Sequence, residues 1–306
     1  MSVTDLLADP RFEVLPGKNA EQSVLDWVPR GMTVTVTASP VKGLDPTVDL
    51  AVRLAGHGYR TVPHIAARSV ADDAHLAGIV RRLLDAGIDN VFVPGGDATH
   101  PAGPFDSALP VLVKLSEMGA PFSDVGITGY PESHPKISDD VTVQAMWDKR
   151  LHATYLVSNV CFDPAALGAW IKRIRARGVV LPLYVGLACP TSQTRLLRLA
   201  AISGATESAR FITRHPGWIL RFLVPGGYSP DRFLARAAPI LEDPANHVVG
   251  LHLFTFNQLQ QTAQWRTAAL ATASAAAPYV EPISPSRGLR APRLTRSITP
   301  SRKLHE

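Results

Sequence analysis

The chain has 306 residues, 46% of them hydrophobic, enough for one large core or two ordinary domains. Its net charge is +5, and +4 of this lies beyond residue 277, where Arg287, Arg290, Arg293, Arg296, Arg302 and Lys303 outnumber Glu281 and Glu306. The remaining body is nearly neutral, which argues against a nucleic-acid-binding protein. Its two cysteines, Cys161 and Cys189, lack metal-ligand spacing and do not suggest a disulfide framework.

Short apolar, β-branched runs alternate with helical patterns along the chain. A strand at 12–15 carries Glu13 between Phe12 and Val14 and is followed by a helix at about 20–28. Strand 33–37 precedes helix 46–57, strand 60–64 precedes helix 70–86, and strand 90–93 precedes helix 105–118. Strand 124–128 leads to helix 140–152, strand 155–159 to helix 164–177, and strand 181–186 to helix 192–202. Residues 206–241 add two helical patterns before a last strand at 248–254 and a helix at 257–275. Asp45 before Pro46, Asp163 before Pro164, and Ser229-Pro230-Asp231 mark helix starts. Gly87, Gly119 and Gly178 mark helix ends.

The strands are near-continuous apolar runs, as in a parallel sheet covered on its faces. Eight of them, each followed by a helix, predict a (β/α)8 TIM barrel as a single domain over 1–277, with extra helices before the last strand. The alternative is a doubly wound sheet, against which no G-x-G-x-x-G follows the first strand. Residues 278–306, rich in Pro, Ser and Arg, read as a disordered or loosely docked tail. Without a signal-peptide pattern or an apolar run of 18 residues, the expectation is a soluble cytoplasmic protein with no membrane partner.

In such a barrel the active site lies at the C-terminal strand ends. Those ends offer Glu13, Thr37, His64, Gly96-Asp97, Tyr130 with Glu132 and His134, Asn159, Gly186, and Thr255-Phe256-Asn257. Glu13 reads either as an acid at an apolar mouth, where desolvation favours the protonated form, or as an exposed Glu paired with Lys18 or Arg11. Gly95-Gly96-Asp97 reads as a turn that lets backbone approach a ligand, or as a plain Asx turn. His64 and His134 are too few and too scattered for a metal site, and each reads equally as a hydrogen-bonded histidine. Asn159 could read a heterocycle edge or cap a turn. Pro131 and Pro135 stiffen the loop that presents Tyr130, Glu132 and His134. Cys161 reads as a small buried hydrophobe. The run Lys172-Arg173-Ile174-Arg175-Ala176-Arg177 reads as a solvated helix face and end, with phosphate binding the lesser alternative.

At these residues the chain resembles the methylenetetrahydrofolate reductase family. Tyr130-Pro131-Glu132-Ser133-His134-Pro135 matches the family's Y-P-E-x-H-P. Phe12-Glu13-Val14-Leu15-Pro16 matches F-E-F-F-P, Pro63-His64-Ile65 matches P-H-L, and Gly96-Asp97 matches the end of R-G-D. Asn159-Val160-Cys161-Phe162-Asp163 stands for Q-F-F-F-D, and Phe254-Thr255-Phe256-Asn257 for Y-T-L-N. The resemblance implies a (β/α)8 barrel that reduces 5,10-methylenetetrahydrofolate to 5-methyltetrahydrofolate in one-carbon and methionine metabolism. NADH or NADPH would be the hydride donor and FAD the bound carrier. It implies that Glu13 is the general acid and that Asp97 and Asn159 bind the folate. Thr37, His64, Gly96, Asp97, Tyr130, His134 and Lys149 would contact the cofactor. The sequence departs from the family where Gly95 replaces the Arg before Gly-Asp and Asn159 replaces Gln. A weakly held FAD, another flavin, or hydride passed directly from NADH to folate are the alternatives this leaves. So is a folate-binding barrel of a one-carbon transfer system, or a pterin sensor, without redox activity. Homo-oligomerisation stays open.

Overall fold

Runs such as Thr33-Val34-Thr35-Val36 are rich in β-branched residues, which pack well on a pleated surface and favour extended backbone. In the computed structural model, which describes residues 1–39, 42–134, 137–190 and 229–276, each of the eight runs forms a strand. They are β1 (Arg11–Val14), β2 (Thr33–Val36), β3 (Arg60–Pro63), β4 (Asn90–Phe92), β5 (Asp124–Gly129), β6 (Tyr155–Ser158), β7 (Leu183–Ala188) and β8 (Val248–Phe254). Helix α1 (Val3–Ala8) precedes β1, and α2 (Ala20–Trp27), α3 (Asp45–Gly56), α4 (Asp73–Asp85) and α5 (Ala108–Glu117) follow β1 to β4. Helices α6 (Asp139–Lys149) and α7 (Pro164–Ala176) follow β5 and β6, while α8 (Pro230–Leu241) and α9 (Leu259–Ala276) flank β8. The predicted helix at 192–202, the pattern before residue 229 and the 278–306 tail lie outside the described residues.

All strand pairs are parallel, in the order β3-β2-β1-β8-β7-β6-β5-β4. The ring closes where His64 bridges Phe92, with Ile65 N–H donating to the Phe92 carbonyl at 2.8 Å. The architecture is therefore the predicted (β/α)8 barrel. Two details differ from expectation. Helix α1 was not predicted; Ser2 and Asp5 form a reciprocal capping box that starts it, and Leu6 and Leu7 bury its inner face. Strand β7 starts at Leu183 and runs to Ala188, because Pro182 has no N–H to give a neighbouring strand.

Strand alternation divides the core in two. Phe12, Val14, Val34 and Val36 face the helices and join the main apolar cluster. Val62, Phe92, Tyr155 and Val157 form a second cluster in the barrel lumen. Arg11 and Glu13 alternate with Phe12 and Val14, so they too face the lumen. Arg11 is 6% exposed, and its guanidinium lies 4.2 Å from the Tyr155 ring centroid and 3.6 Å from that of Tyr184. Two glycines make room for these rings. A Cβ on Gly126 would sit 2.3 Å from the Tyr155 ring, and one on Gly250 would sit 2.5 Å from that of Tyr184.

Candidate active site

All the strand-end residues named from the sequence lie at the same, C-terminal end of the parallel ring, because every strand runs in one direction. Glu13 is on β1, and Arg11 and Glu13 stand in register with His252 and Phe254 of β8. The Glu13 carboxylate does not pair with Lys18 or Arg11. Its Oε2 lies 3.0 Å from His252 Nε2, with the Glu13 side chain 12% exposed and His252 2% exposed. The backbone around Glu13 is clamped from the other side of the seam. Thr255 Oγ1 donates to the Glu13 carbonyl at 2.5 Å. The Asn257 side chain grips Leu15 at both main-chain groups, accepting from its N–H at 2.8 Å and donating to its carbonyl at 3.1 Å. To reach Leu15, Phe256 and Asn257 adopt φ of 51° and 56°, which is costly for a bulky residue such as Phe256. The strain is stored where the chain orients Glu13.

The rest of the ring from β2 round to β5 has unmet hydrogen-bonding capacity. Thr37 Oγ1, His64 Nε2 and Thr128 Oγ1 are buried and have no hydrogen-bond partner. His64 stacks on Phe92 at 4.7 Å between ring centroids. Burial, helped by His252 and Arg11, holds its imidazole well below the usual histidine range, so it is neutral at physiological pH. Past β4, Gly96 has φ of 87°, and a Cβ there would come within 3.0 Å of the Ala66 Cβ, so only glycine is comfortable. Gly95 is different: a Cβ there would meet nothing within 4 Å. The loop after Asp97 is pinned by Arg68, whose guanidinium donates to the carbonyls of Ala98, Thr99 and Asp106 at 2.7, 2.8 and 2.9 Å. At the end of α6, the Lys149 side chain makes no hydrogen bond or ion pair among the described residues, and burial pushes its ammonium down to about 8.

The Tyr130–His134 loop is built differently from its sequence reading. Tyr130 and His134 meet edge to face at 4.9 Å. Glu132 is taken up by the neighbouring loop. Its Oε1 accepts from the N–H groups of Phe162 and Asp163 at 2.7 and 2.6 Å and from the Cys161 thiol at 3.4 Å, tying this loop to the start of α7. Burial pushes the Glu132 carboxyl up against the pull of those donors, and burial beside Glu132 pushes the Cys161 thiol well above its usual value. Asn159 has used its Oδ1 on the Val160 N–H at 2.8 Å, which leaves Nδ2 for a ligand. The basic run on α7 divides: Arg173 and Arg177 pair with Asp139 and Asp140 at its surface, whereas Arg175 turns in to the carbonyls of Val179, Leu181 and Asn246.

Sequence reasoning missed His252. It sits inside the apolar run Val248–Phe254 and reads there as a core histidine; only the β8–β1 register brings it to Glu13. The roles of Thr255 and Asn257 were missed for the same reason, although both lie in a recognised motif. No helix among the described residues is long and apolar enough to cross a membrane.

Comparison with known proteins gives a family match. The model of the family described as Methylenetetrahydrofolate reductase matches residues 19–216, about two thirds of the 306. A lyase/mutase structure from Burkholderia cenocepacia J2315 aligns at TM-score 0.44 and 16% identity, over 90% of this chain and 85% of that one. Tryptophan synthase from M. tuberculosis, in its aminoacrylate-bound form, aligns at TM-score 0.42 and 15% identity, over 79% of this chain and 93% of that one.

Proposed function

The chain belongs to the methylenetetrahydrofolate reductase family, and on that premise we propose that it reduces 5,10-methylenetetrahydrofolate to 5-methyltetrahydrofolate with NADH or NADPH. Membership supports an oxidoreductase in general terms; the particular reaction rests on the mouth. The observation that carries it is Glu13, a clamped carboxylate with one oxygen on His252 and the other free of partners among the described residues, at the C-terminal end of the barrel. A module that only bound folate would need no such acid. In the proposed reaction Glu13 gives a proton to a folate ring nitrogen, opening the five-membered ring to an iminium that accepts hydride. Asp97 and the Nδ2 of Asn159 hold the pterin edge.

Residues from β2 round to β5 fit a polar heterocycle with an anionic tail. Thr37 Oγ1, His64 Nε2 and Thr128 Oγ1 supply unused polar atoms, Tyr130 and His134 an aromatic side, and Lys149 a cation for a pyrophosphate. A flavin bound there would carry hydride from NAD(P)H to the folate. Both a flavin dinucleotide and a nicotinamide dinucleotide share this chemistry. Gly95, with open space in place of the family's Arg, removes a fixed cation from a bound flavin and favours a weak hold on it.

The test is an absorbance spectrum of the purified protein together with NAD(P)H oxidation in the presence of methylenetetrahydrofolate. Folate-dependent oxidation is expected; visible flavin bands would then assign the carrier, and a colourless active protein would mean direct transfer. A protein that binds folate but never oxidises NAD(P)H contradicts the reductase reading and leaves a one-carbon binding barrel or pterin sensor.

A further inference from the structure

His252 Nε2 and Glu13 Oε2 are 3.0 Å apart, a distance at which one hydrogen lies between them. The other ring nitrogen, His252 Nδ1, is buried and has no partner. A hydrogen on Nδ1 would be a donor shut away from any acceptor, which proteins avoid. The arrangement with least cost is a neutral ring that carries its hydrogen on Nε2, donates it to Oε2 and leaves a bare lone pair on Nδ1. Glu13 Oε1 then remains without a partner among the described residues, on a side chain that keeps 12% exposure.

We propose that His252 is the positioning residue of the general acid: it anchors Oε2, leaves Oε1 to carry the proton toward the substrate, and stabilises the carboxylate that remains once that proton has gone. This rests on the reductase reading, since the proton concerned is the one that reading gives to Glu13. In the step, the Oε1–H bond breaks and an N–H bond forms on the folate nitrogen. The bonding pair stays on the carboxylate, and nothing is oxidised or reduced. The His252 N–H then points at a full negative charge, and a charge-assisted hydrogen bond is roughly twice as strong as a neutral one. An interaction that strengthens as charge develops lowers the barrier rather than merely binding the ground state.

Among the described residues, the other titratable or charged groups near this pair are Arg11 on β1, itself against Tyr184 of β7, His64 just past β3 and Cys189 just past β7. The rings of His64 and His252 lie 6.5 Å apart, and Cys189 feels the Glu13 charge, its thiol pushed up to about 12 chiefly by burial. A change confined to His252 leaves all four in place, so a displaced pH profile reports on His252 itself.

The experiment compares pH–rate profiles of the full-length protein and its His252→Leu and His252→Gln variants. His252→Leu is expected to lower kcat about 10- to 100-fold, leave the folate KM within about threefold, and move the alkaline limb about one pH unit upward, since a donor to the charged form has been lost. His252→Gln keeps an N–H and is expected to return the limb most of the way. A limb unmoved in His252→Leu overturns the proposal, because a purely structural role would slow the enzyme without shifting it. A second readout needs no activity: 15N NMR of the wild-type His252 ring should show a protonated Nε2 and a bare Nδ1 at pH 7, with the Nε2 signal displaced in Glu13→Gln. An Nδ1-protonated or doubly protonated ring would overturn the assignment. Wild-type protein that shows the expected tautomer but no turnover would sink the reductase reading alone.

Discussion

On the β8–β1 wall of the mouth, the acid and its backbone are held in place: Glu13 meets His252, its carbonyl takes Thr255, and Leu15 is held at both ends by Asn257, with His252 Nδ1 the atom left unpaired among the described residues. On the β2–β5 wall, Thr37, His64 and Thr128 are buried with hydrogen-bonding atoms unused among the described residues. Orphaned buried polar atoms cost stability, so a protein tolerates a row of them chiefly where a ligand will meet them. The acid wall is pre-organised by the protein; in the proposed function the other wall is completed by the cofactor that binds.

The largest effect is expected on the acid wall. Glu13→Gln keeps the shape and removes the proton, and turnover should fall about 10³-fold while folate affinity, read by fluorescence titration, changes little. Asn257→Ala spares every proposed contact to substrate yet frees the Leu15 backbone and the strained Phe256. A loss of kcat of about 10- to 100-fold is expected from the misplaced acid, with a lower melting temperature from the unpaired Leu15 groups. A kcat equal to wild type would mean that the clamp has no part in holding Glu13.

At the proposed cofactor contacts the effects should fall on binding instead. Lys149→Met should raise the KM for the dinucleotide about tenfold and leave kcat nearly unchanged, as expected for one lost charged hydrogen bond. Its pH dependence gives a sharper test. With its ammonium at about 8 in the folded protein against 10.5 for the free side chain, Lys149 loses its charge as the pH rises through 8, so dinucleotide affinity should fall above that pH. Stability should move the other way. Between about 8 and 10.5 the unfolded chain binds more protons than the folded one, so unfolding free energy rises with pH across that window. Lys149→Met should abolish both slopes in titration and denaturation series. The smallest effect concerns Gly95→Arg. The position accepts a side chain without clash, and a single added cation at a partly open site should tighten flavin retention about two- to fivefold, measured by equilibrium dialysis.

The barrel was legible because each strand is a local signal: a β-branched run such as that of β2 announces itself within five residues. The strand-end inventory was legible for the same reason, since position along a strand fixes which end a residue occupies. What could not be read was pairing across the ring. His252 and Glu13 are 239 residues apart in sequence, and nothing local distinguishes His252 from a core histidine. One alternative paired Glu13 with Lys18 or Arg11 at the surface, but strand alternation puts Arg11 in the lumen between two tyrosines whose rings Gly126 and Gly250 make room for. Glu132 was misread because its loop was judged by its prolines, while its carboxylate answers to the N–H groups that open α7. Helix α1 could have been found from Ser2 and Asp5, whose spacing is that of a capping box.

The most direct test of the acid wall is to follow 5-methyltetrahydrofolate formation and NAD(P)H oxidation together, in wild type and Glu13→Gln at equal folate occupancy. The expected result is one product formed per NAD(P)H consumed by the wild type, and loss of both signals in Glu13→Gln with folate still bound. Product formation by Glu13→Gln at the wild-type rate, or folate binding by the wild type with no product at all, would contradict it.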